Sequence, residues 1–466
     1  MHTGTAGRGY ALAPGELRDW LMDPPGVSVS GQLYAVAEQV AILNGTHGGD
    51  RDLGKLMASF QATATRLVCA ARTELRTASH PLDGEYRLLA RSADFLLHEL
   101  ARGHERLVRL QSDRVFVLGL RRRIASHLLA AVGCLAQRLS IANLIHADPP
   151  KGTWEELHRL YGLARASSLQ RVPVGRDCVE AAYCRALLTS FADPRRMQPD
   201  DLACVEALLA EHASANCRIT GALPGGGTMG QFLVTAGHDA PGRPIARGAS
   251  TILPTDLVLD CSRLVEALMR QASTARLQGA MTRDLAESLV RHWGAMTSRK
   301  FRRLRSFARV ELVVGVAPIS ARLGAPDGQG TGAPSSKWMV VNESARGYAL
   351  MHVSGPCVAL RVGDVVGMFD GGDCRVCLIR WILSNDAEHL EVGVEELSAS
   401  PAPVSMSLPG AGIGRECPAL MLPAIERLGQ PAMVLSQAGG AATGLRPGEL
   451  VAQTATVRMF RVASKP

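Results

Sequence analysis

Arg299-Lys300-Phe301-Arg302-Arg303 and Asn342-Glu343-Ser344-Ala345-Arg346-Gly347 are the two stretches on which the reading of this chain turns. The first ends a helical pattern; the second follows a strand-like run. From residue 310 onward the apolar residues fall in short β-branched segments at 310–316, 338–341, 348–351, 365–369, 375–383 and 390–397. Short strands separated by turn residues predict a small antiparallel barrel. Further strand-like runs at 419–422, 432–435, 449–454 and 456–462 predict a small C-terminal β unit packed on it.

Toward the N-terminus the period becomes helical. Over 113–147, Val115, Val117, Leu118, Ile124, Leu128, Leu129 and Val132 make a broad apolar face. Another helix is expected from Thr153, with Trp154, Leu157, Leu160 and Tyr161 as packing residues, and a third from Asp200, whose carboxylate suits an N-cap. Strands are expected at 231–235 and 257–260. Helices follow at 262–272 and 282–298, the latter with Leu285, Leu289, His292 and Trp293 on one face. The fold class expected is α+β and multidomain: a loose arm (1–30), an all-α helical domain (31–216), a mixed α/β connector (217–298), a six-stranded antiparallel β-barrel (299–403) and a small C-terminal β unit (404–466).

Composition narrows the function. The 466 residues carry a net charge of +8, and residues 299–309 hold six basic side chains with no acidic one among them. Such a patch fits an anionic partner of nucleotide size, whereas duplex DNA calls for a longer stripe. Residues 1–23 lack the apolar core of a secretory signal, so a cytoplasmic location with reduced cysteines is expected. The stretch 124–145 is apolar but interrupted by Gln137, Arg138 and Asn143, which reads as a buried helix rather than a membrane span. Cys374 and Cys377 form a single CxxC where a structural zinc needs four ligands. His98 and His104, six apart, fall on different sides of a helix. With no P-loop, no HExxH and no nucleophile elbow, a non-enzymatic protein without metal or cofactor is expected.

The order RxxxR, strand, [D/N]xSxxG, strand resembles the PilZ domain family. The resemblance continues through Leu360-Arg-Val-Gly363-Asp364, Ile379-Arg380-Trp381 and Val392-Gly393-Val394, and covers about 297–403. It implies a receptor for cyclic di-GMP, with Arg299 and Arg303 as switch arginines and Asn342, Ser344 and Gly347 as a second wall. Arg305-Ser-Phe-Ala-Arg309 is also RxxxR, so Arg305 and Arg309 are an alternative switch pair. The chemistry suits the ligand. A guanidinium donates paired hydrogen bonds to guanine O6 and N7 or to phosphate. Asn342 and Ser344 can read base edges, and Gly347 allows close backbone approach or φ > 0. Trp338 and Trp381 are expected in the core. The Gly- and Pro-rich stretch 320–337 departs from the family pattern as an insert. The implied function is a signalling receptor whose interdomain arrangement changes on ligand binding, with a protein partner for the helical domain. The alternative is a basic adaptor that binds nucleic acid or acidic protein through the Arg patch.

Overall fold

The computed structural model describes residues 14–45, 50–112, 119–221, 229–245, 256–273, 281–294, 303–325, 334–356, 358–371, 373–386, 389–407, 416–424, 431–438, 449–454 and 456–462. They form two compact units. The first takes in most of residues 1–298. The second takes in 299–466 together with the short segments Ser79–Asp83 and Arg195–Gln198.

The first unit is led by eight helices: α1 (Pro14–Met22), α2 (Val29–Gly45), α3 (Asp50–Leu75), α4 (Gly84–Ser112), α5 (Leu120–Leu144), α6 (Thr153–Ala166), α7 (Val179–Phe191) and α8 (Pro199–Asn216). The expected arm is thus partly helical, because Leu17 and Leu21 of α1 are buried and Thr63 of α3 donates to the Leu21 carbonyl at 3.1 Å. Pro199 opens α8, so Asp200 sits in its first turn, not at its cap, and pairs with Arg76. Helix α5 is long and apolar enough to cross a membrane, but much of it is buried in the unit. Its buried Arg138 is held by both oxygens of Asp94 and by His98. His104 is buried against His127 (3.3 Å) and Gln61 (3.2 Å), and burial pushes its pKa down to about 3.

Residues 217–298 cluster with these helices instead of standing apart. Strands β1 (Arg218–Thr220), β2 (Gln231–Thr235), β3 (Arg243–Pro244) and β4 (Asp256–Asp260) make an antiparallel sheet in the order β1-β4-β2-β3. Helices α9 (Ser262–Ser273) and α10 (Arg283–Trp293) follow, and the Thr282 hydroxyl caps α10. Leu285, Leu289 and Trp293 are buried as expected. The Trp293 indole donates to the Leu188 carbonyl of α7 at 2.8 Å, which ties this region to the bundle.

The loop between β2 and β3 supplies a cap that α6 lacks. Gly152 precedes α6 with φ +79° and has no side chain to accept its free N–H groups. Asp239 does so from across the unit, accepting from the Gly152 N–H at 2.6 Å and the Trp154 N–H at 3.0 Å. His158 of α6 meets the Ala240 carbonyl at 2.8 Å, fixing the same loop.

The second unit is a closed barrel with a sheet packed on its outside. The barrel strands are β6 (Arg309–Val314), β7 (Ser335–Ser344), β8 (Gly347–Ser354), β9 (Val365–Asp370), β10 (Asp373–Ser384) and β11 (Leu390–Ser398). They pair in the order β7-β6-β9-β10-β11-β8, and β8 returns to β7 to close six antiparallel strands. A two-residue strand β5 (Leu304–Arg305) adds to β7. Val310, Leu312, Trp338, Val340, Leu350, Val366, Met368, Ile379, Val392 and Val394 fill the barrel. The second core lies outside it. There, Val313, Val365, Val376 and Leu378 meet Leu420, Leu422, Leu435 and Met459 of a five-stranded sheet, with Ile319 of helix α11 (Val316–Gly324) between them. That sheet holds β12 (Ala402–Ser407), β13 (Glu416–Leu422), β14 (Met433–Gln437), β15 (Leu450–Gln453) and β16 (Val457–Arg461), in the order β12-β13-β14-β16-β15.

One expectation changes here, and a second feature gains a location. The start of the presumed insert is helical, because Val316 and Ile319 are drawn into the outer core. Cys374 and Cys377 lie in different cores, Cys374 in the outer and Cys377 in the barrel interior. An odd spacing on a strand sends side chains to opposite faces, so this CxxC is divided between two cores.

The capping loop is testable. Asp239→Ala removes the acceptor from the start of α6 and should lower the stability of the first unit by about 1 kcal/mol, with a range of roughly 0.5–2. Urea unfolding of the variant and the parent measures it; unchanged midpoints would mean that the contact contributes nothing.

Candidate ligand-binding site

The outer face of the barrel opposite the C-terminal sheet carries the sequence-predicted residues. Asn342 and Ser344 lie at the end of β7 and Gly347 at the start of β8, so one tight hairpin holds all three. A bulge between Val340 and Asn342 resets the alternation. Trp338 and Val340 point into the barrel. Beyond the bulge Asn342 pairs with Ala349 and Ser344 with Gly347, and both pairs fall on the outer face, since their neighbours Leu350 and Tyr348 pack inward.

Each of the three has a defined local role. The Ser344 hydroxyl donates to the Gly347 carbonyl at 3.2 Å, so its proton is used in the turn. Gly347 is required by close approach, not by positive φ. A Cβ there would stand 2.0 Å from the Val394 carbonyl oxygen of β11. The backbone that demands this glycine is the barrel's own. Asn342 is half-buried.

The basic segment is brought to this hairpin by strand pairing. Arg305 of β5 lies directly across from Asn342, and Leu304 across from Glu343. Below them the Val340 N–H donates to the Ala308 carbonyl at 2.8 Å. Arg309 enters β6 opposite Met339. Arg303, Arg305, Arg309 and Arg346 are all exposed. Among the described residues, none of these four makes an ion pair. Arg299 lies outside the described residues. Of the two RxxxR registers, the described geometry places Arg303, Arg305 and Arg309 on or beside the edge of the hairpin.

Following the register around the barrel gives one line of cross-strand partners: Arg305, Asn342, Ala349, Gly393 and Trp381. Trp381 is therefore not in the core as expected. A second bulge, between Ile379 and Trp381, turns it outward while Ile379 and Ile382 stay inside. Its indole lies across Gly393, where a Cβ would meet the ring nitrogen at 1.7 Å. Trp338 is buried in the barrel interior as expected. At one end of the barrel the Tyr348 hydroxyl donates to Glu396 at 2.8 Å, and burial, then Glu396, pushes its pKa up to about 12.

Sequence reasoning missed the β5 pairing, because two residues are too few for a periodic signal. It also missed the outward turn of Trp381. Ile379 and Ile382 are three apart and both face inward, which is the trace a bulge leaves in a strand.

Residues 15–223 match the family model described as the N-terminal domain of the cyclic-di-GMP receptor FimW. The chain is also 22% identical over 451 residues to the cyclic-di-GMP receptor FimW of Pseudomonas aeruginosa, a match that covers 76% of this chain and 72% of that protein. No solved structure matches. The family match thus falls on the helical region, while the ordered motifs lie in the barrel.

Proposed function

We propose that this protein is a receptor for cyclic di-GMP and that the ligand binds on the outer barrel face between β5 and the β7–β8 hairpin. The observation that carries the reading is the pairing of Arg305 with Asn342, which sets guanidinium groups without ion-pair partners beside an amide and a hydroxyl. Two phosphates supply the charge that Arg303, Arg305 and Arg309 lack from the protein. Arg299, the first residue of the RxxxR stretch, completes the switch with Arg303. Guanine offers O6 and N7 to a guanidinium and N–H groups to the Asn342 and Ser344 oxygens. The similarity to a cyclic-di-GMP receptor supports the same ligand.

The role that follows is signalling, not catalysis. Ligand that fixes the 299–309 segment changes the restraint on the chain between α10 and the barrel, and so the arrangement of the two units, one of the recognised switching modes. The helical unit then presents a surface to a protein partner. An adaptor for nucleic acid would need a longer basic track than this one hairpin edge offers.

Calorimetric titration of cyclic di-GMP into the full chain should give micromolar or tighter affinity. Arg305→Ala/Arg309→Ala and Arg299→Ala/Arg303→Ala should each weaken binding at least about ten-fold, since one charge-assisted hydrogen bond is worth about 1.5–3 kcal/mol. Parent-like affinity in one pair would remove that pair from the switch; parent-like affinity in both would refute the site.

Competition tests what the site reads. Adenine carries a donor where guanine carries O6, so cyclic di-AMP should displace labelled cyclic di-GMP poorly. Equal displacement would reduce the site to a phosphate clamp.

A further inference from the structure

Large apolar side chains interrupt the basic run at 299–309. Phe301, Leu304 and Phe307 recur at every third position among Arg299, Lys300, Arg302, Arg303, Arg305 and Arg309. Phe301 lies outside the described residues. The other two are not used by the fold. Leu304 is 54% exposed and Phe307 75%, although apolar cores lie on both sides of the barrel wall. A phenylalanine left in water forgoes the stabilisation that a core position would give it.

The rest of the strip is exposed as well, at Arg303, Arg305, Ala308 and Arg309, and Arg346 of the hairpin adds a further exposed cation. The acidic neighbour in register is Glu343, across from Leu304. Glu395 of β11 and Glu311 of β6 already hold Arg380 and Arg322. Cations therefore prevail on this edge, and they are interleaved with unburied apolar groups. A surface that suits both is an anionic phospholipid leaflet. Guanidinium groups meet lipid phosphates with paired hydrogen bonds, and leucine and phenylalanine enter the acyl boundary beneath the headgroups. A basic run of this density draws a domain to an anionic membrane. Arg305 and Leu304 point to opposite faces of β5, and the long arginine stem carries its head to headgroup level while Leu304 goes below. Single-stranded RNA can pair with the arginines and stack on Phe307, but it has no use for Leu304.

We propose that the 299–309 strip docks on an anionic membrane surface, with Leu304 and Phe307 inserted and the arginines on lipid phosphates, and that cyclic di-GMP releases it by taking the same arginines. The docking stands on the strip alone; the release rests on the cyclic di-GMP reading. To a guanidinium the phosphates of a lipid and of a dinucleotide are the same chemistry, so the two compete for Arg303, Arg305 and Arg309.

Co-sedimentation of the full chain with vesicles of equal parts phosphatidylcholine and phosphatidylglycerol tests the docking, with vesicles of phosphatidylcholine alone as the uncharged control. The parent should bind the anionic vesicles at least about ten-fold more tightly than the control, since each arginine near such a surface is worth about five-fold. Leu304→Ala/Phe307→Ala should bind the anionic vesicles about ten-fold more weakly, the order expected for two apolar side chains withdrawn from burial. In calorimetry the same variant should take up cyclic di-GMP like the parent, because neither side chain belongs to the ligand site. Saturating cyclic di-GMP should weaken the parent's vesicle binding at least about ten-fold, as the loss of two or more arginines would. No binding, equal binding to both kinds of vesicle, or parent-like vesicle binding by the double variant would overturn the docking. So would single-stranded RNA that displaces the vesicles and binds parent and double variant alike, which would make the strip a nucleic-acid surface. Ligand that binds in calorimetry yet leaves the vesicles occupied would overturn the release. If calorimetry shows no ligand binding, the receptor reading and the release fall, and the vesicle comparison still decides the docking.

Discussion

Strand β7 makes three pairings, and the second unit depends on them. Its first half pairs with β6, Lys337 to Ser344 with β8, and Asn342 and Glu343 with β5. The pairing with β8 closes the barrel, which removes two sheet edges that would otherwise expose unpaired backbone. Closure has a steric condition at Gly347, where the Val394 carbonyl leaves no space for a Cβ. The pairing with β5 is what turns an arginine-rich stretch of sequence into a surface. Without it the guanidinium groups of Arg303 and Arg305 would have no fixed relation to Asn342.

The same geometry accounts for the electrostatics. Several arginines elsewhere are matched: Arg138 with Asp94, Arg159 with Glu105, Arg185 with Asp177, Arg322 with Glu311. On the hairpin edge they are exposed and, among the described residues, make no ion pairs. Like charges held close together on one edge raise the local potential and favour an anion. The opposite side of the barrel is closed off, since Val365, Val376 and Leu378 lie under the C-terminal sheet.

How much of this was legible in the sequence depended on the length of the signal. The barrel strands and the C-terminal strands announced themselves by β-branched runs, and the barrel interior follows the alternation at Val310, Leu312, Trp338 and Val340. The faces of α6 and α10 were readable because their apolar residues repeat at helical spacing: Trp154, Leu157, Leu160 and Tyr161 on one, Leu285, Leu289 and Trp293 on the other. Features set by contact were not readable. Helix α11 forms where a Gly- and Pro-rich insert was expected, because Ile319 has an outer core to enter. Trp381 looked like a core residue because the bulge beside it is invisible in composition. Nor were the local roles of Ser344 and Gly347 readable, in the hairpin hydrogen bond and the barrel closure.

The central claim is that one ligand bridges the β5 segment and the β7–β8 hairpin. Hydrogen exchange of the full chain, with and without cyclic di-GMP, tests it most directly because exchange reports local opening segment by segment. The account predicts new protection at about 303–309 and 342–348 together, with weaker protection extending into 284–294. Protection of the hairpin alone, with residues 303–309 exchanging as in the free protein, would contradict it.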